Sequence, residues 1–183
     1  MRNQVEFYNT PSGYVMCDDG NYTTRLSESS REVVDELLDT IRECYSDAYR
    51  ALEQCYSKSS KNSRYQKFRI VNRFIRCNCG ELDTQKIDFI DGNINIEQVH
   101  CPLRGSGDCQ YENVICNPKR TSALTVRQLQ IAAALAEGLT PQEVSDRLYI
   151  SIHTIHNTIQ AIKVKLNLKN TTQIISWYNN MKK

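Results

Sequence analysis

Five of the eight cysteines, Cys77, Cys79, Cys101, Cys109 and Cys116, fall within forty residues of one another. Thiolates are soft ligands, and in a reducing compartment clustered cysteines more often hold metal than form disulfides. A tetrahedral zinc site needs four of them, supplied by Cys77 or Cys79 together with Cys101, Cys109 and Cys116. A Cys-x-x-Cys pair is missing on both sides of the cluster, so two other readings stay open. One is a [4Fe–4S] cluster, which also takes four thiolates; the other is a set of free or oxidation-sensing thiols. Neither His-Glu-x-x-His nor His-x-Glu with a later Pro-Cys-x-x-Cys occurs, and four thiolates leave no open coordination position. A catalytic metal, and with it an enzyme, is therefore not expected. Cys17, Cys44 and Cys55 stand apart and read as small buried side chains.

A second set of chemically capable residues lies near the carboxy terminus. His153, His156, Asn157, Gln160 and Lys163 share one face of a helix whose other face carries Ile155, Ile159, Ile162 and Leu166. Asn and Gln can each make two hydrogen bonds to an adenine edge in the major groove. Ser151 is in N-cap position for that helix. Before it, Thr140 caps a shorter helix that has Pro141 at its first residue and Val144 and Leu148 on one side. A short helix, a tight turn and a longer helix with a polar outer face make a helix-turn-helix.

The elements that position these two sets follow in chain order. Residues 1 to 26 look irregular, with turn signals at Asn9 to Gly13 and Asp18 to Asn21 and room for a small hairpin. A long amphipathic helix is predicted from about Ser29 to Ser57, then a turn to Ser63 and a second helix from about Arg64 to Arg76. Glu28 to Glu53 holds eight acids against three basic residues, and Lys58 to Arg76 holds seven basic residues and no acid. Opposite charge invites an antiparallel pair of helices, and the basic helix is also a candidate for phosphate contacts. Lys86 to Ile90 and Asn93 to Glu97 alternate around Asp91-Gly92, predicting a β-hairpin that brings the cysteine clusters together.

Charge is divided unevenly. Arg120 to Lys183 contains eight Lys or Arg against three acids, while residues 1 to 119 contain fifteen against eighteen. The basic end is the end with the helix-turn-helix. No apolar run is long enough to span a bilayer and the amino terminus lacks a signal segment, so a cytoplasmic protein without a membrane partner is expected.

From Leu124 onward the chain resembles the carboxy-terminal DNA-binding domain of LuxR-type transcriptional regulators. The resemblance rests on Leu124-Thr125-x-Arg127-Gln128, Ala134-x-Ala136-x-Gly138-Leu139-Thr140, Glu143-Val144, Leu148-x-Ile150-Ser151, Thr154-Ile155, Lys165-Leu166 and Asn170-x-Thr172-Gln173. It implies a four-helix domain that reads bases through His156, Asn157 and Gln160. Arg147, Ser151, Thr154, Lys163, Lys165 and Lys169 are then placed for phosphates. It also implies a dimer contact on the last helix, near Trp177 and Tyr178. Two positions depart from the family pattern: His156 stands where lysine is usual and Thr171 where arginine is frequent, which lowers the electrostatic attraction to DNA.

The sequence thus predicts a mainly α protein. Residues 1–119 would hold a helical pair at about 29–76 and a small cysteine-rich β-hairpin metal module at 77–119. Residues 120–183 would form the LuxR-type domain. The expected function is a sequence-specific, homodimeric transcription regulator that binds double-stranded DNA and carries a structural zinc site. An iron–sulfur redox sensor, or an adaptor on RNA polymerase that does not bind DNA by itself, are the competing readings.

Overall fold

The structure, a computed structural model, describes residues 4–80, 82, 87–90 and 92–181. It divides into two compact units, Met1–Ser122 and Ala123–Lys183. Helices make up about half of the chain, and the strands form one small antiparallel sheet.

The amino-terminal arm is not irregular. It folds into strands β1 (Gln4–Asn9), β2 (Val15–Asp18) and β3 (Thr23–Arg25), paired antiparallel in sequence order. Both predicted turns are present. Thr10 donates its amide to the Tyr14 carbonyl at 2.8 Å while Gly13 takes φ +83°, and the Asp19 carboxylate accepts from the amides of Asn21 and Tyr22. Val5 and Phe7, then Val15 and Cys17, point inward at the period of two that a half-buried sheet requires, and Leu26 follows them into the core. This arm is part of the core of the first unit rather than a tail lying on it.

Strands β4 (Phe89–Ile90) and β5 (Asn93–Ile94) form the predicted hairpin, shorter than expected, with Gly92 at φ +74°. Lys86 and Asp91, which the sequence placed in this hairpin, lie outside the described residues. β4 pairs with β1 through Gln4↔Ile90 and Val5↔Phe89, giving the sheet order β3-β2-β1-β4-β5. The hairpin is therefore an extension of the amino-terminal sheet and not the centre of a separate module.

The long helix predicted over 29–57 is two helices, α1 (Arg31–Cys44) and α2 (Ser46–Cys55). Tyr45 leaves helical geometry at φ −138°, ψ 54°. Its ring packs against Phe74 with 5.4 Å between centroids, and its hydroxyl donates to the Ile94 carbonyl at 3.1 Å. The tertiary contacts of one residue outweigh the helical pattern of its neighbours.

A short 3-10 turn at Ser57–Ser59 leads to α3 (Ser63–Asn78), which Asn62 caps by accepting the Tyr65 amide at 3.1 Å. Contacts between α1 and α3 climb in the same sense along both: the Glu28 carbonyl accepts from Arg64, Asp35 pairs with Lys67 at 2.7 Å, and Tyr45 meets Phe74. α1 and α3 thus run in the same direction, with α2 between them in sequence, so the α1 half of the predicted long helix does not pair antiparallel with α3. Most of the basic residues of α3 already have partners in the first unit. Arg69 lies over the Tyr56 ring at 4.2 Å, and the hydroxyl of Ser59 accepts from it. The phosphate role considered for this helix would require breaking those contacts.

From residue 95 to residue 125 the chain has neither helix nor strand. It is held by side-chain bonds. Buried Asn78 donates to the Ile115 carbonyl at 2.8 Å and accepts from the Asn117 amide at 2.9 Å, and the Glu112 carboxylate accepts the Gly105 amide at 3.0 Å.

The second unit contains α4 (Val126–Ala136), α5 (Pro141–Leu148), α6 (Ile152–Leu166) and α7 (Thr171–Met181) around one apolar core. Each helix start is written in local chemistry. Thr125 and Gln128 form the predicted capping box, Thr140 and Glu143 form a second, and the Ser151 hydroxyl accepts the Thr154 amide at 3.1 Å. Asn170 likewise accepts the Gln173 amide at 2.9 Å. Gly138, at φ +93°, ends α4 in the left-handed conformation that the sequence predicted for it.

Candidate nucleic-acid interface

Helix α6 buries Ile155, Ile159 and Ile162 against the core of the second unit, with Leu129, Ile131 and Leu135 of α4, Val144 of α5 and Ile174 of α7 in the same cluster. That contact fixes which side of α6 remains outside. His153, His156, Asn157 and Gln160 are exposed on it. Asn157 Nδ2 lies 3.0 Å from His153 Nε2, one turn earlier, so the imidazole holds the amide in place across the surface of the helix.

Helices α5 and α6 are set relative to one another by a short, well-bonded turn. Buried Ser145 donates its hydroxyl to the Ile150 carbonyl at 2.6 Å, and the Ile150 amide donates back to the Ser145 carbonyl at 3.2 Å. Tyr149 closes α5 at φ +53°, ψ +43°, an unusual place for a residue with a side chain, and leaves that side chain 95% exposed. Arg127 of α4 also braces the turn, donating to the Leu148 carbonyl at 3.1 Å.

The remaining residues singled out from the sequence fall in three kinds of place. Ser151 and Thr154 sit at the amino-terminal end of α6, their hydroxyls 2.8 Å apart, where backbone amides and the helix dipole favour an anion. Lys163 is half-buried on the flank of α6. Arg147 and Lys165 are exposed but engaged, Arg147 in an ion pair with Glu137 and Lys165 by donating to Gln128 Oε1 at 3.0 Å. A phosphate would have to compete for both. Lys169, past the end of α6, is exposed.

Two side chains of the exposed surface were not among the expected contacts. Val164 is 79% exposed, and with His153, Asn157 and Gln160 it continues a 4-3-4 spacing along the outside of α6. Tyr149 stands at the turn. The spacing was legible for Val164, but an apolar residue in a helix reads by default as core; an exposed methyl-bearing side chain is instead suited to a thymine methyl group.

The five clustered cysteines divide into two environments. Cys79 is fully buried, with its sulfur 4.0 Å from the Asn95 carbonyl oxygen. Burial pushes its thiol well above the usual range, and the negative charges of Asp88, Glu97 and Glu6 push it further. Cys77 faces Arg73 and lies within electrostatic reach of Cys101 and Cys116; burial raises its thiol while Arg73 opposes the rise. Cys109 in turn lies within reach of Arg73. All eight cysteines are free thiols. As these side chains stand, no group of three or more His, Cys, Asp or Glu among the described residues is set to hold a metal ion.

No described helix is long and apolar enough to cross a membrane. Neither a curated protein nor a solved structure matches the chain. The residues that form α4 to α7 do have a counterpart: residues 122–178 match the family model of bacterial regulatory proteins of the luxR family, so the carboxy-terminal unit is similar to the helix-turn-helix domain of those regulators.

Proposed function

We propose that the protein is a sequence-specific DNA-binding transcription regulator that inserts α6 into the major groove. The observation that carries this reading is the outer face of α6. His153, His156, Asn157 and Gln160 present hydrogen-bonding groups outward together, on a helix whose opposite side is locked into the core. An α-helix fits the major groove, and amide side chains discriminate bases there. Ser151 and Thr154 at the start of α6, with Lys163 on its flank, are placed to orient the helix on phosphates without choosing sequence.

The active species proposed is a homodimer. Trp177 and Tyr178 on α7 are half-buried in the single chain and available for further burial against a second copy. Two copies would present two α6 helices to successive turns of one duplex, which suits the modest number of unengaged cations in a single domain.

Selection from a randomised duplex library tests the reading. The enriched sites are expected to contain two related half-sites about 10 base pairs apart, centre to centre, or a multiple of that spacing. Recovery of sequence without any preference would leave the family resemblance as one of fold alone. It would favour an adaptor that contacts a protein such as RNA polymerase.

A further inference from the structure

The stretch from residue 95 to residue 125, without helix or strand, is longer than a structureless connection in a compact domain usually is. Its last residues are anchored by Leu124 in the core of the second unit, but from residue 95 to residue 117 apolar burial does little to hold it: Ile115 is buried, while Leu103 and Val114 are 44% and 38% exposed. Three cysteines occupy this stretch, and each adjoins a tight turn. The Cys101 carbonyl accepts the Arg104 amide at 3.1 Å, the Cys109 carbonyl accepts the Glu112 amide at 3.1 Å, and the Cys116 sulfur accepts the Asn113 amide at 3.4 Å.

The bonds made by Asn78 fix where this stretch meets the helices. By bonding Ile115 and Asn117 it sets Cys116, between them, beside the end of α3, where Cys77 is the neighbouring residue. One turn earlier on α3 is Arg73, whose guanidinium lies beside Cys77. Its Nε is buried and has no acceptor, and the same is true of Nη2 of Arg104 within the stretch itself. A buried cationic N–H without an acceptor is costly. Thiolates bound to a metal accept such bonds readily, and a centre with four of them carries net negative charge.

We propose that Cys77, Cys101, Cys109 and Cys116 bind one zinc ion, that Arg73 donates to the resulting thiolates, and that Cys79 takes no part. Binding converts four thiols and Zn²⁺ into a tetrathiolate centre of charge −2 and releases four protons. The thiols do not stand at ligand spacing beforehand, so the ion draws the Cys101 and Cys109 turns onto the end of α3, and ordering of the stretch accompanies binding. The zinc serves as the cross-link that this poorly buried stretch otherwise lacks. The assignment is independent of the DNA-binding reading and can fail or stand separately from it.

Cobalt titration of the full-length, reduced, metal-free chain tests it. One equivalent of Co²⁺ is expected to produce a thiolate-to-cobalt charge-transfer band with the strong visible absorption of a tetrahedral site, and zinc is expected to abolish both. Cys77→Ser and Cys116→Ser should weaken binding by about 100-fold or more, and Cys79→Ser should leave the spectrum unchanged. Limited proteolysis of the unaltered chain gives a readout free of variant misfolding: zinc should protect the bonds between residues 101 and 116 from cleavage. The proposal is overturned by the absence of a charge-transfer band, by a Cys79→Ser loss equal to that of Cys77→Ser, or by cleavage indifferent to zinc. A brown protein containing iron and sulfide would overturn the zinc assignment in favour of an iron–sulfur cluster.

Discussion

Replacing Asn157 or Gln160 by alanine is expected to lower affinity for the selected duplex by about 1–3 kcal/mol each, roughly a factor of 10 to 100, while binding to unrelated DNA stays nearly the same. Both side chains are exposed on α6 and neither belongs to the apolar core of the second unit, so the variants should unfold at nearly the same temperature as the parent. The two changes are not expected to be equivalent. Asn157 is held by His153 at 3.0 Å and enters the groove with its amide already oriented, whereas no such brace on Gln160 forms part of the same contact. His153→Ala should therefore reproduce part of the Asn157→Ala loss. Competition between the selected site and a scrambled duplex, measured for each variant, gives the specificity ratio directly. An unchanged ratio for both would remove the outer face of α6 from base recognition.

The second large effect concerns Asp88, which is completely buried between β1 and the end of α3. Its carboxyl accepts the Phe7 amide at 2.7 Å through one oxygen, and the other oxygen has no partner. The Asp88 amide donates to the Glu6 carboxylate at 3.1 Å. Burial pushes the Asp88 carboxyl from 3.8 up to about 8; Glu6 and Glu97 add to the rise, while the bond from the Phe7 amide and the nearby Cys79 thiol oppose it. A folded-state value above the unfolded one means that the contribution of Asp88 to stability is fully present below about pH 4 and is lost progressively as pH rises through 8. At about 1.4 kcal/mol per pH unit, the loss between pH 5 and pH 8 reaches on the order of 4 kcal/mol. Asp88→Asn keeps the shape and the acceptor for Phe7 but cannot ionise. The variant is expected to unfold at higher denaturant than the parent at pH 8 and to show little difference at pH 4. Equal pH dependence of the two proteins in urea titrations would show that Asp88 ionises normally.

The two units differ in how much of them could be read in advance, and the reason is the range of the interactions. In the second unit Thr125, Thr140 and Ser151 each bond to a backbone amide three residues on, and Gly138 ends its helix by its own conformation. Such signals act within one turn of chain and are visible in a short window of sequence. In the first unit the deciding contacts are distant. Val5 pairs with Phe89, so no local pattern could show that the arm and the hairpin belong to one sheet. Tyr45 breaks the helix for the sake of Phe74 and Ile94, while the apolar stripe continues through the break because α1 and α2 both face the same core.

The candidate sites follow the same division. The outer face of α6 was legible because a helical repeat sorts residues into faces; Val164 escaped it, and Tyr149, at the turn before α6, lay outside that repeat. The cysteines were visible as a cluster, but their division was not. Cys77 belongs to the last turn of α3, and Cys79 lies just beyond it in extended geometry, so two residues of sequence separation carry them into different surroundings. Asp88 was visible only as a polar position in an alternating strand; it bonds to Phe7, 81 residues away in sequence.

Binding of duplex DNA through the proposed recognition helix of the carboxy-terminal unit is tested most directly by a salt titration. Affinity of the purified chain for a labelled duplex, measured at increasing salt, should fall linearly on logarithmic axes. The expected slope corresponds to a few phosphate contacts per copy, and Lys163→Ala should reduce it by about one per copy. A folded chain that binds no duplex even at low salt, or binds with an affinity indifferent to salt, would show that the protein does not act by gripping DNA.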